Sequence, residues 1–439
     1  MNNTLGISTE DWEACLRVLQ AVSKDPAQIA EDERFKALVA KIHKEGKRGV
    51  RRDAQEKRQA DDRRTKAETG LVRAQKRGDS TGVEGGLTWG KLQTPALCYV
   101  CKDAYTRVHP WYHLLCPNCA DFNAAKRKQR ADLAGRTALV TGGRVKIGYL
   151  LVLRLLRDGA KVIATTRFPA DAARRFAKEP DYAEWSERLQ IVGLDLRHLP
   201  SVEQFCEALR AEEPALDILV NNAAQTVKRP PEFYKHLLDA EDASLLETRP
   251  EYPAGLDMAR YFPPGLHDRD GQQIDLRPVH SWRLRLGEIE TLEMLETQLV
   301  NAAAPFVLNS RLKSLLMRSS FDRRFIVNVS AMEGQFGRES KTVFHPHTNM
   351  AKAALNMMTR TSAADYARDG IYMNSVDTGW VTDENPHPQK VSAQERGFWT
   401  PLDARDAAAR IYDPVARGIN EDAEPLFGHF LKDYAPYAW

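Results

Sequence analysis

Several features of membrane and disulfide-rich proteins are missing from this chain of 439 residues. No window holds about 20 uninterrupted apolar residues, which argues against a transmembrane helix. Six cysteines are too few for a disulfide scaffold. The residues after Met1 lack a basic flank followed by an apolar stretch, so no secretory signal is expected. The sequence therefore predicts a cytoplasmic protein with no membrane partner.

An excess of charge of one sign is also lacking, because 63 Lys and Arg residues balance 60 Asp and Glu residues, with a net charge of +3. A nearly neutral chain argues against a protein that binds nucleic acid over its whole surface. The apolar content of 43% is typical of a soluble globular protein. The length predicts two or three folding units.

One stretch, Lys44–Arg77, is strongly charged, with 13 Lys and Arg against 6 Asp and Glu. It predicts either a solvated helix or a flexible arm that contacts phosphate groups. Because the stretch holds no aromatic residue on which bases could stack, the solvated helix is favoured. We assign residues 1–43 to a helical region and residues 44–90 to this basic helix and a glycine-containing linker.

Two Cys-x-x-Cys pairs separated by fourteen residues give a strong local signal. Two cysteines three positions apart can direct both sulfurs to one metal, and two such pairs complete a tetrahedron. Since four thiolates leave no open coordination position, the pattern predicts structural zinc in a module spanning residues 91–131. His109 and His113 lie between the pairs, so a mixed Cys/His site is the alternative. The predicted ligands are Cys98, Cys101, Cys116 and Cys119.

From residue 132 to residue 439, apolar and β-branched runs of strand length alternate with helical patterns. Such alternation predicts a parallel sheet covered by helices on both faces, which is a doubly wound, Rossmann-type α/β fold. The predicted strands are Arg136–Gly142, Lys161–Thr166, Leu189–Asp195, Asp217–Asn221, Arg324–Ser330 and Ile371–Val376. The predicted helices include Ile147–Leu156, Val202–Leu209 and Lys352–Ala364.

The first of these strands leads into a glycine turn, residues 142–148, and then into a helix. This arrangement places backbone N–H groups and the positive end of a helix dipole against pyrophosphate. Three later segments, 221–224, 301–306 and 328–330, are followed by Lys352 in an order that strengthens the interpretation.

In order and spacing, these segments resemble the short-chain dehydrogenase/reductase family from about Ala134 onward. The resemblance implies a dinucleotide coenzyme, hydride transfer and a homo-oligomer. Lys352 is similar to the lysine that holds the nicotinamide ribose, and Asn301 to the asparagine that helps hold a proton-relay water. Together with the local charges, the resemblance assigns the coenzyme contacts to Thr141, Gly142, Arg144, Lys146, Ile147, Gly148, Thr166, Arg167, Asp195, Leu196, Asn222, Ala223, Ala224, Lys352, Gly379, Val381 and Thr382.

The end of the second strand favours NADP over NAD. An acidic residue there would bind both ribose hydroxyls and repel a 2′-phosphate. Here Thr165, Thr166 and Arg167 offer hydroxyls and a guanidinium instead, which suits the additional phosphate. Arg144 and Lys146 add positive charge nearby.

Three replacements depart from the family pattern. Lys146 stands at the second glycine of the turn, Ala331 at the catalytic serine and Thr348 at the catalytic tyrosine. An aliphatic hydroxyl is a far poorer acid than a phenol, so Thr348 needs assistance. Histidine titrates in a useful range, and the candidate donors are therefore His345, His347 or a tyrosine of an insertion. The predicted catalytic residues are Lys352, Thr348, Asn301 and His347.

The Rossmann domain, residues 132–439, also carries an insertion at about residues 228–290. It follows the carboxyl side of the sheet, where ligands bind in such folds. It predicts either a lid over a small-molecule substrate or an interface.

Three functions follow from these features. The first is an NADP(H)-dependent oxidoreductase with a rewired proton donor, acting on a carbonyl, alcohol or imine. The alternative is a catalytically silent, NADP-binding regulatory or scaffold protein. A nucleic-acid-associated protein is disfavoured by the near-neutral charge.

Overall fold

The computed structural model describes residues 6–29, 32–78, 88–238, 241, 260–268, 270–337 and 341–439. The chain divides into two compact units, Met1–Arg64 with Leu92–Thr94, and Thr65–Lys91 with Pro95–Trp439. Residues 79–87 of the predicted linker, and residues 239–240, 242–259 and 269 of the predicted insertion, lie outside the described residues.

The first unit contains helix α1 (Thr9–Lys24) and most of helix α2 (Glu33–Ala67). Helix α1 begins where the Ser8 hydroxyl accepts a hydrogen bond from the Asp11 N–H at 3.0 Å, which satisfies one unpaired N–H group of the first turn. Most of the basic stretch forms the regular helix α2, whose described residues are solvated rather than buried.

The second unit begins with α3 (Gly70–Arg77) and a small two-stranded sheet. Its strands β1 (Gly90–Leu97) and β2 (Ala104–Val108) pair antiparallel, and α4 (Pro117–Arg127) follows. Proline at the first helical position suits this helix, because that N–H group would have no intrahelical partner. We call residues 98–127 the cysteine module.

The remainder of the second unit is an eight-stranded sheet in the order β10-β9-β8-β7-β6-β3-β4-β5. All neighbouring strands are parallel except β10, which pairs antiparallel with β9. The doubly wound α/β fold predicted from the alternating pattern is thereby confirmed. The strands are β3 (Thr137–Thr141), β4 (Lys161–Thr166), β5 (Leu189–Gly193), β6 (Ile218–Asn221), β7 (Arg324–Ser330), β8 (Ile371–Asp377), β9 (Phe430–Lys432) and β10 (Ala435–Tyr437).

Helices cover both faces of this sheet, because the strands are apolar on both sides. The helices between the strands are α5 (Lys146–Arg157), α6 (Pro169–Phe176), α7 (Tyr182–Trp185), α8 (Leu199–Glu212), α9 (Pro231–Leu238), α10 (Thr291–Gln298), α11 (Ala304–Arg311), α12 (Lys313–Met317), α13 (Pro346–Arg368), α14 (His387–Glu395) and α15 (Ala404–Asn420). One core cluster joins the sheet to α5, α6 and α15, and the other joins it to α8, α11, α12 and α13. Among the residues described, none of the helices combines the length and apolar character needed to cross a bilayer.

Candidate functional site

The turn between β3 and α5 is shaped by two glycines. Gly142 has a φ of 71°, in the left-handed region that glycine adopts without strain. A Cβ added at Gly148 would lie 2.1 Å from the Gly142 carbonyl oxygen and 2.5 Å from Asn222 Nδ2. The turn therefore requires glycine at both positions, and it leaves the first N–H groups of α5 without intrahelical partners.

Lys146 stands between these two glycines, at the position of the second glycine in the family pattern. Its φ of 52° is left-handed, so the chain keeps the backbone conformation of a glycine position while adding a cationic side chain. Its charge acts on Glu384: burial raises the pKa of that carboxyl, but Lys146, Lys390 and Arg229 together hold it below its ordinary value.

A cavity of about 620 Å³ opens beside the turn, at the carboxyl ends of β3, β4, β5 and β6. It lies where ligands bind in doubly wound sheets. Thr141, Lys352, Gly379 and Val381 are the predicted coenzyme residues that do not line it. Those that do are Gly142, Arg144, Lys146, Ile147, Gly148, Thr166, Arg167, Asp195, Leu196, Asn222, Ala223, Ala224 and Thr382.

Two arginines that line the cavity, Arg144 after β3 and Arg167 after β4, differ in their partners. Arg144 is buried and donates to the Asp171 carboxylate at 2.6 Å. Arg167 instead lies over the Tyr234 ring at 4.6 Å, and within the described part of the chain it forms no ion pair. Arg167 therefore brings a positive charge to the cavity that no carboxylate neutralises directly.

Asp195, one of the predicted coenzyme contacts, accepts two hydrogen bonds from the Arg197 guanidinium, at 3.0 Å and 2.5 Å. Burial raises the pKa of the Asp195 carboxyl, but Arg197 and Arg167 together lower it below its ordinary value. Asp195 is thus an anion fixed in the cavity wall.

Thr141 and Asn222 fix the turn to the end of β6. The Thr141 hydroxyl accepts from the N–H groups of Asn222 and Ala223, both at 3.0 Å. Asn222 Nδ2 donates to the carbonyls of Thr141 and Gly142 at 2.9 Å and 3.2 Å. Thr141 therefore does not line the cavity but positions Asn222 and Ala223. Ala223 and Ala224 are part of the cavity wall.

The segment after β8, residues 378–382, borders the cavity at its other end. Gly379 has a φ of 76°, and a Cβ there would lie 2.7 Å from Leu402 Cδ1. Val381 is buried. Thr382 lines the cavity and donates to Glu384 Oε1 at 2.8 Å.

Lys352 lies on α13 and is buried. Its ammonium donates to the Val329 carbonyl at the end of β7, at 2.7 Å. Burial lowers the pKa of Lys352 to about 8, because an ammonium loses its hydration in the protein interior.

The hydroxyl of Thr348 has a buried polar neighbour, the imidazole of His347. Thr348 Oγ1 lies 3.5 Å from His347 Nε2, and that nitrogen lies 3.9 Å from the Glu293 carboxylate. All three residues are buried. Burial lowers the pKa of His347 below its ordinary value although Glu293 opposes the shift.

The other predicted donor, His345, stands apart from this group. Its ring stacks on Trp282 of the insertion, with ring centroids 4.0 Å apart and planes within 5°. Ser330 is also engaged elsewhere, because its hydroxyl donates to Asn356 Oδ1 at 2.6 Å. Neither Ala331 nor Ser330 supplies the hydroxyl of the family serine.

Asn301 lies on one wide helical turn, Leu299–Ala303, between α10 and α11. Its side chain accepts from the Gln225 N–H at 2.7 Å and donates to the Gln225 carbonyl at 2.9 Å. Asn301 therefore fixes the chain that follows β6 and does not line the cavity.

The four cysteines of the module form one cluster, in which all sulfur atoms lie within 4.8 Å of one another. Four sulfurs around a zinc ion at about 2.3 Å would be roughly 3.8 Å apart, and Cys101 and Cys116 have a separation of 3.7 Å. The donor set and spacing fit zinc. The side chains of His109 and His113 bond elsewhere, to the N–H groups of Trp111 and Tyr112 and to the Trp399 carbonyl.

Sequence reasoning missed several residues of the site. Glu293 lies on α10, whose buried face also carries Glu296 and Thr297. Residues three positions apart lie on the same face of a helix. The spacing of the two glutamates was therefore the sequence signal that could have found this residue. The insertion contributes Arg229, Phe233, Tyr234, Asp268, Gln272, Gln273, Ile274, Asp275 and His280 to the cavity wall, and the segment after Thr382 contributes Glu384, Asn385, His387, Lys390 and Gln394.

Comparison with known proteins gives matches over most of the second unit. A family model described as short chain dehydrogenase matches residues 136–243, and one described as enoyl-(acyl carrier protein) reductase matches residues 281–400. The uncharacterized protein R665 of Acanthamoeba polyphaga mimivirus is 32% identical over 343 residues, which cover 72% of this chain and 71% of the viral protein.

Other relatives match over a shorter length. Dehydrogenase/reductase SDR family member 13 of Bos taurus is 40% identical over 95 residues, covering 21% of this chain and 24% of that protein. The crystal structure of a short-chain dehydrogenase from Burkholderia cenocepacia in complex with NADP has a TM-score of 0.47 and 22% identity, covering 68% of this chain and 96% of that one.

Proposed function

Because this chain belongs to the short-chain dehydrogenase/reductase family, we propose that it is an NADP(H)-dependent oxidoreductase with a rewired proton donor. Its substrate class is a carbonyl, the corresponding alcohol, or an imine. The reaction is hydride transfer between the coenzyme and the substrate carbon.

Arg167 carries the choice of NADP. It lies at the end of β4, where the coenzyme ribose binds in doubly wound folds. It forms no ion pair with any residue that the structure describes, and it is held over the Tyr234 ring. A guanidinium in that position can bind a 2′-phosphate through paired hydrogen bonds.

The remaining groups of the cavity fit a dinucleotide. The glycine turn excludes a side chain at Gly148 and presents N–H groups and a helix N-terminus to a pyrophosphate. Lys146 adds positive charge to the lining, which also includes Arg144 in its ion pair with Asp171. When bound, the coenzyme supplies or accepts the hydride at its nicotinamide ring.

Three buried side chains serve as the proton path in this proposal. The Thr348 hydroxyl donates the proton to the substrate oxygen or imine nitrogen, and the imidazolium form of His347 replaces it through Nε2 and becomes neutral. Glu293 stabilises the charged form of the imidazole. The separations of 3.5 Å and 3.9 Å are longer than hydrogen bonds, and catalytic contacts commonly shorten when substrate binds. Lys352 contributes a hydrogen-bond donor beside the same site.

Two further assignments complete the proposal. The Cys98, Cys101, Cys116 and Cys119 cluster holds one structural zinc, because four thiolates leave no position for a reactive water. The insertion forms part of the ligand-binding wall, since nine of its described residues line the cavity.

Calorimetric titration of NADPH and NADH tests the proposal. We expect NADPH to bind at least tenfold more tightly, and Arg167→Ala to remove most of that preference without weakening NADH. Arg283→Ala is the matched control, because its guanidinium also lies over an aromatic ring, Phe344 at 4.4 Å, and does not line the cavity. Equal affinity for both coenzymes in the wild-type protein would contradict the choice of NADP.

Turnover is tested separately, by following NADPH absorbance with a panel of aldehydes, ketones and imines. Oxidation of NADPH by at least one member is expected. A protein that binds NADPH tightly but reduces no member of a broad panel would contradict the catalytic part of the proposal.

A further inference from the structure

The first cysteine pair of the module touches the segment that borders the coenzyme cavity. Tyr99 lies between Cys98 and Cys101, and its hydroxyl oxygen accepts a hydrogen bond from the Trp380 N–H at 3.0 Å. Trp380 belongs to residues 378–382, of which Thr382 lines the cavity. A residue held between two thiolate ligands is therefore bonded directly to the backbone of this segment.

The module makes a second contact farther along the chain. His113 is buried, and its Nε2 donates to the Trp399 carbonyl at 3.3 Å. Gln75 of α3 adds two hydrogen bonds to Thr400, one to its carbonyl at 3.0 Å and one from its N–H at 3.2 Å. The stretch at residues 399–400 is therefore fixed by side chains that lie on or beside the module.

These two contacts are connected through packing. The Thr400 hydroxyl lies between two acceptors, the Leu402 carbonyl at 3.0 Å and the Val381 carbonyl at 3.3 Å. The Leu402 side chain also lies close enough to Gly379 to meet a Cβ there. Phe398 lies beside Trp380, with ring centroids 5.0 Å apart. Residues 379–381 and 398–402 are thus held against each other, and the module holds both.

Between the two anchored ends lie the residues that complete the cavity wall. Glu384, Asn385, His387, Lys390 and Gln394 all line the cavity, and all fall between Trp380 and Trp399 in the chain. Fixing both ends of this segment reduces the conformational freedom that must be lost when a ligand binds. The position of these side chains therefore depends on the module.

We propose that the cysteine module, with zinc bound, positions residues 378–402 for coenzyme binding, and that Tyr99 and His113 are the positioning residues. The inference rests on the proposed function, since it concerns the same coenzyme site. By linkage, a zinc ion that increases the affinity for NADPH must itself be held more tightly when NADPH is bound. Zinc retention is therefore a readout independent of turnover.

The variant Tyr99→Phe removes the hydroxyl and leaves all four cysteines in place. We expect it to weaken NADPH binding by about three- to tenfold, the range for losing one hydrogen bond, with KM for NADPH rising and kcat little changed. Its zinc content should equal that of the wild-type protein. Tyr366→Phe is the matched control, because it removes a hydroxyl hydrogen bond of the same length, to the Asn309 carbonyl at 3.0 Å.

The reciprocal experiment measures the zinc affinity by equilibrium competition with a chromogenic chelator, with and without saturating NADPH. The wild-type protein should bind zinc more tightly when NADPH is present, and this effect should shrink in Tyr99→Phe. If wild-type protein binds no NADPH, the proposed function is refuted together with this inference. If wild-type protein binds NADPH but Tyr99→Phe binds it equally well, or if the zinc affinity is unchanged by NADPH, only the positioning role is refuted.

Discussion

The substitution Gly148→Ala tests whether the turn between β3 and α5 holds the coenzyme. The added Cβ would lie 2.1 Å from the Gly142 carbonyl oxygen, whereas ordinary contacts begin at 3.4 Å, so the two must separate by about 1.3 Å. Asn222 Nδ2, at 2.5 Å from the same Cβ, would have to move as well. The first obstacle is the backbone of the turn, and the second is a side-chain atom held by hydrogen bonds to the Thr141 and Gly142 carbonyls.

Displacing packed atoms in this way costs about 1–3 kcal/mol. The strain is relieved by moving the backbone whose N–H groups would contact pyrophosphate. We therefore expect NADPH affinity to fall by about 10- to 100-fold, together with a stability loss of about 1–3 kcal/mol measured by urea denaturation.

Isothermal titration calorimetry with NADPH measures the affinity, and Gly287→Ala provides the control. A Cβ at Gly287 meets nothing within 4 Å and its φ is not left-handed, so that variant should bind NADPH as the wild-type protein does. If Gly148→Ala is folded and retains wild-type affinity, the turn is not the phosphate site and the coenzyme assignment fails.

Two further predictions concern the buried groups on α13. Lys352 has a pKa of about 8 in the folded protein, compared with an ordinary value of 10.5. Between pH 8 and pH 10.5 the unfolded chain therefore binds more protons than the folded protein. Because of this difference, the Lys352 side chain makes the free energy of unfolding rise with pH, by about 3 kcal/mol in total. Lys352→Met should remove that rise in urea denaturation from pH 7 to 10, and a difference between the two proteins that does not change with pH would contradict the lowered pKa. His347→Gln should reduce kcat by about 100-fold with unchanged NADPH affinity, and Glu293→Gln should reduce kcat less. The control His345→Gln should leave kcat within about twofold of the wild-type value. Equal effects of the two histidine variants on kcat would exclude the proposed proton path.

The sheet was predictable because its strands are apolar on both faces. The first predicted strand, Arg136–Gly142, differs from β3 by one residue at each end, and Arg324–Ser330 coincides with β7. A strand buried on both sides leaves a continuous β-branched run in the sequence, and that signal is local.

Helix α13 shows where local signals end. Its predicted start was Lys352, but the helix begins at Pro346. The first turn was missed because His347, Thr348 and Asn349 are polar and give no apolar periodicity. His347 and Thr348 are buried by tertiary contacts, including Glu293 of α10, which lies 54 positions earlier. Such a contact has no sequence pattern.

The cysteine module shows the same limit. The two Cys-x-x-Cys pairs predict a cluster of four cysteines, because the spacing of the ligands is visible in the local sequence. The hydrogen bond between Trp380 and Tyr99 joins residues 281 positions apart. In the sequence, the module and residues 378–402 are separate features, and only the fold connects them.

The buried polar groups around Thr348 favour catalysis over a silent scaffold. Lys352 and Glu293 are buried with hydrogen bonds, to the Val329 carbonyl and from the Lys228 N–H. His347 is also more than nine-tenths buried, and burying an ionisable group without strong hydrogen bonds destabilises a fold. His347 Nδ1 has no hydrogen-bond partner among the described residues, and its Nε2 lies beyond hydrogen-bond distance of Glu293. Apolar side chains of similar volume would be at least as stable there. A protein that only binds a coenzyme gains nothing from this arrangement, whereas an enzyme that must store and deliver a proton does.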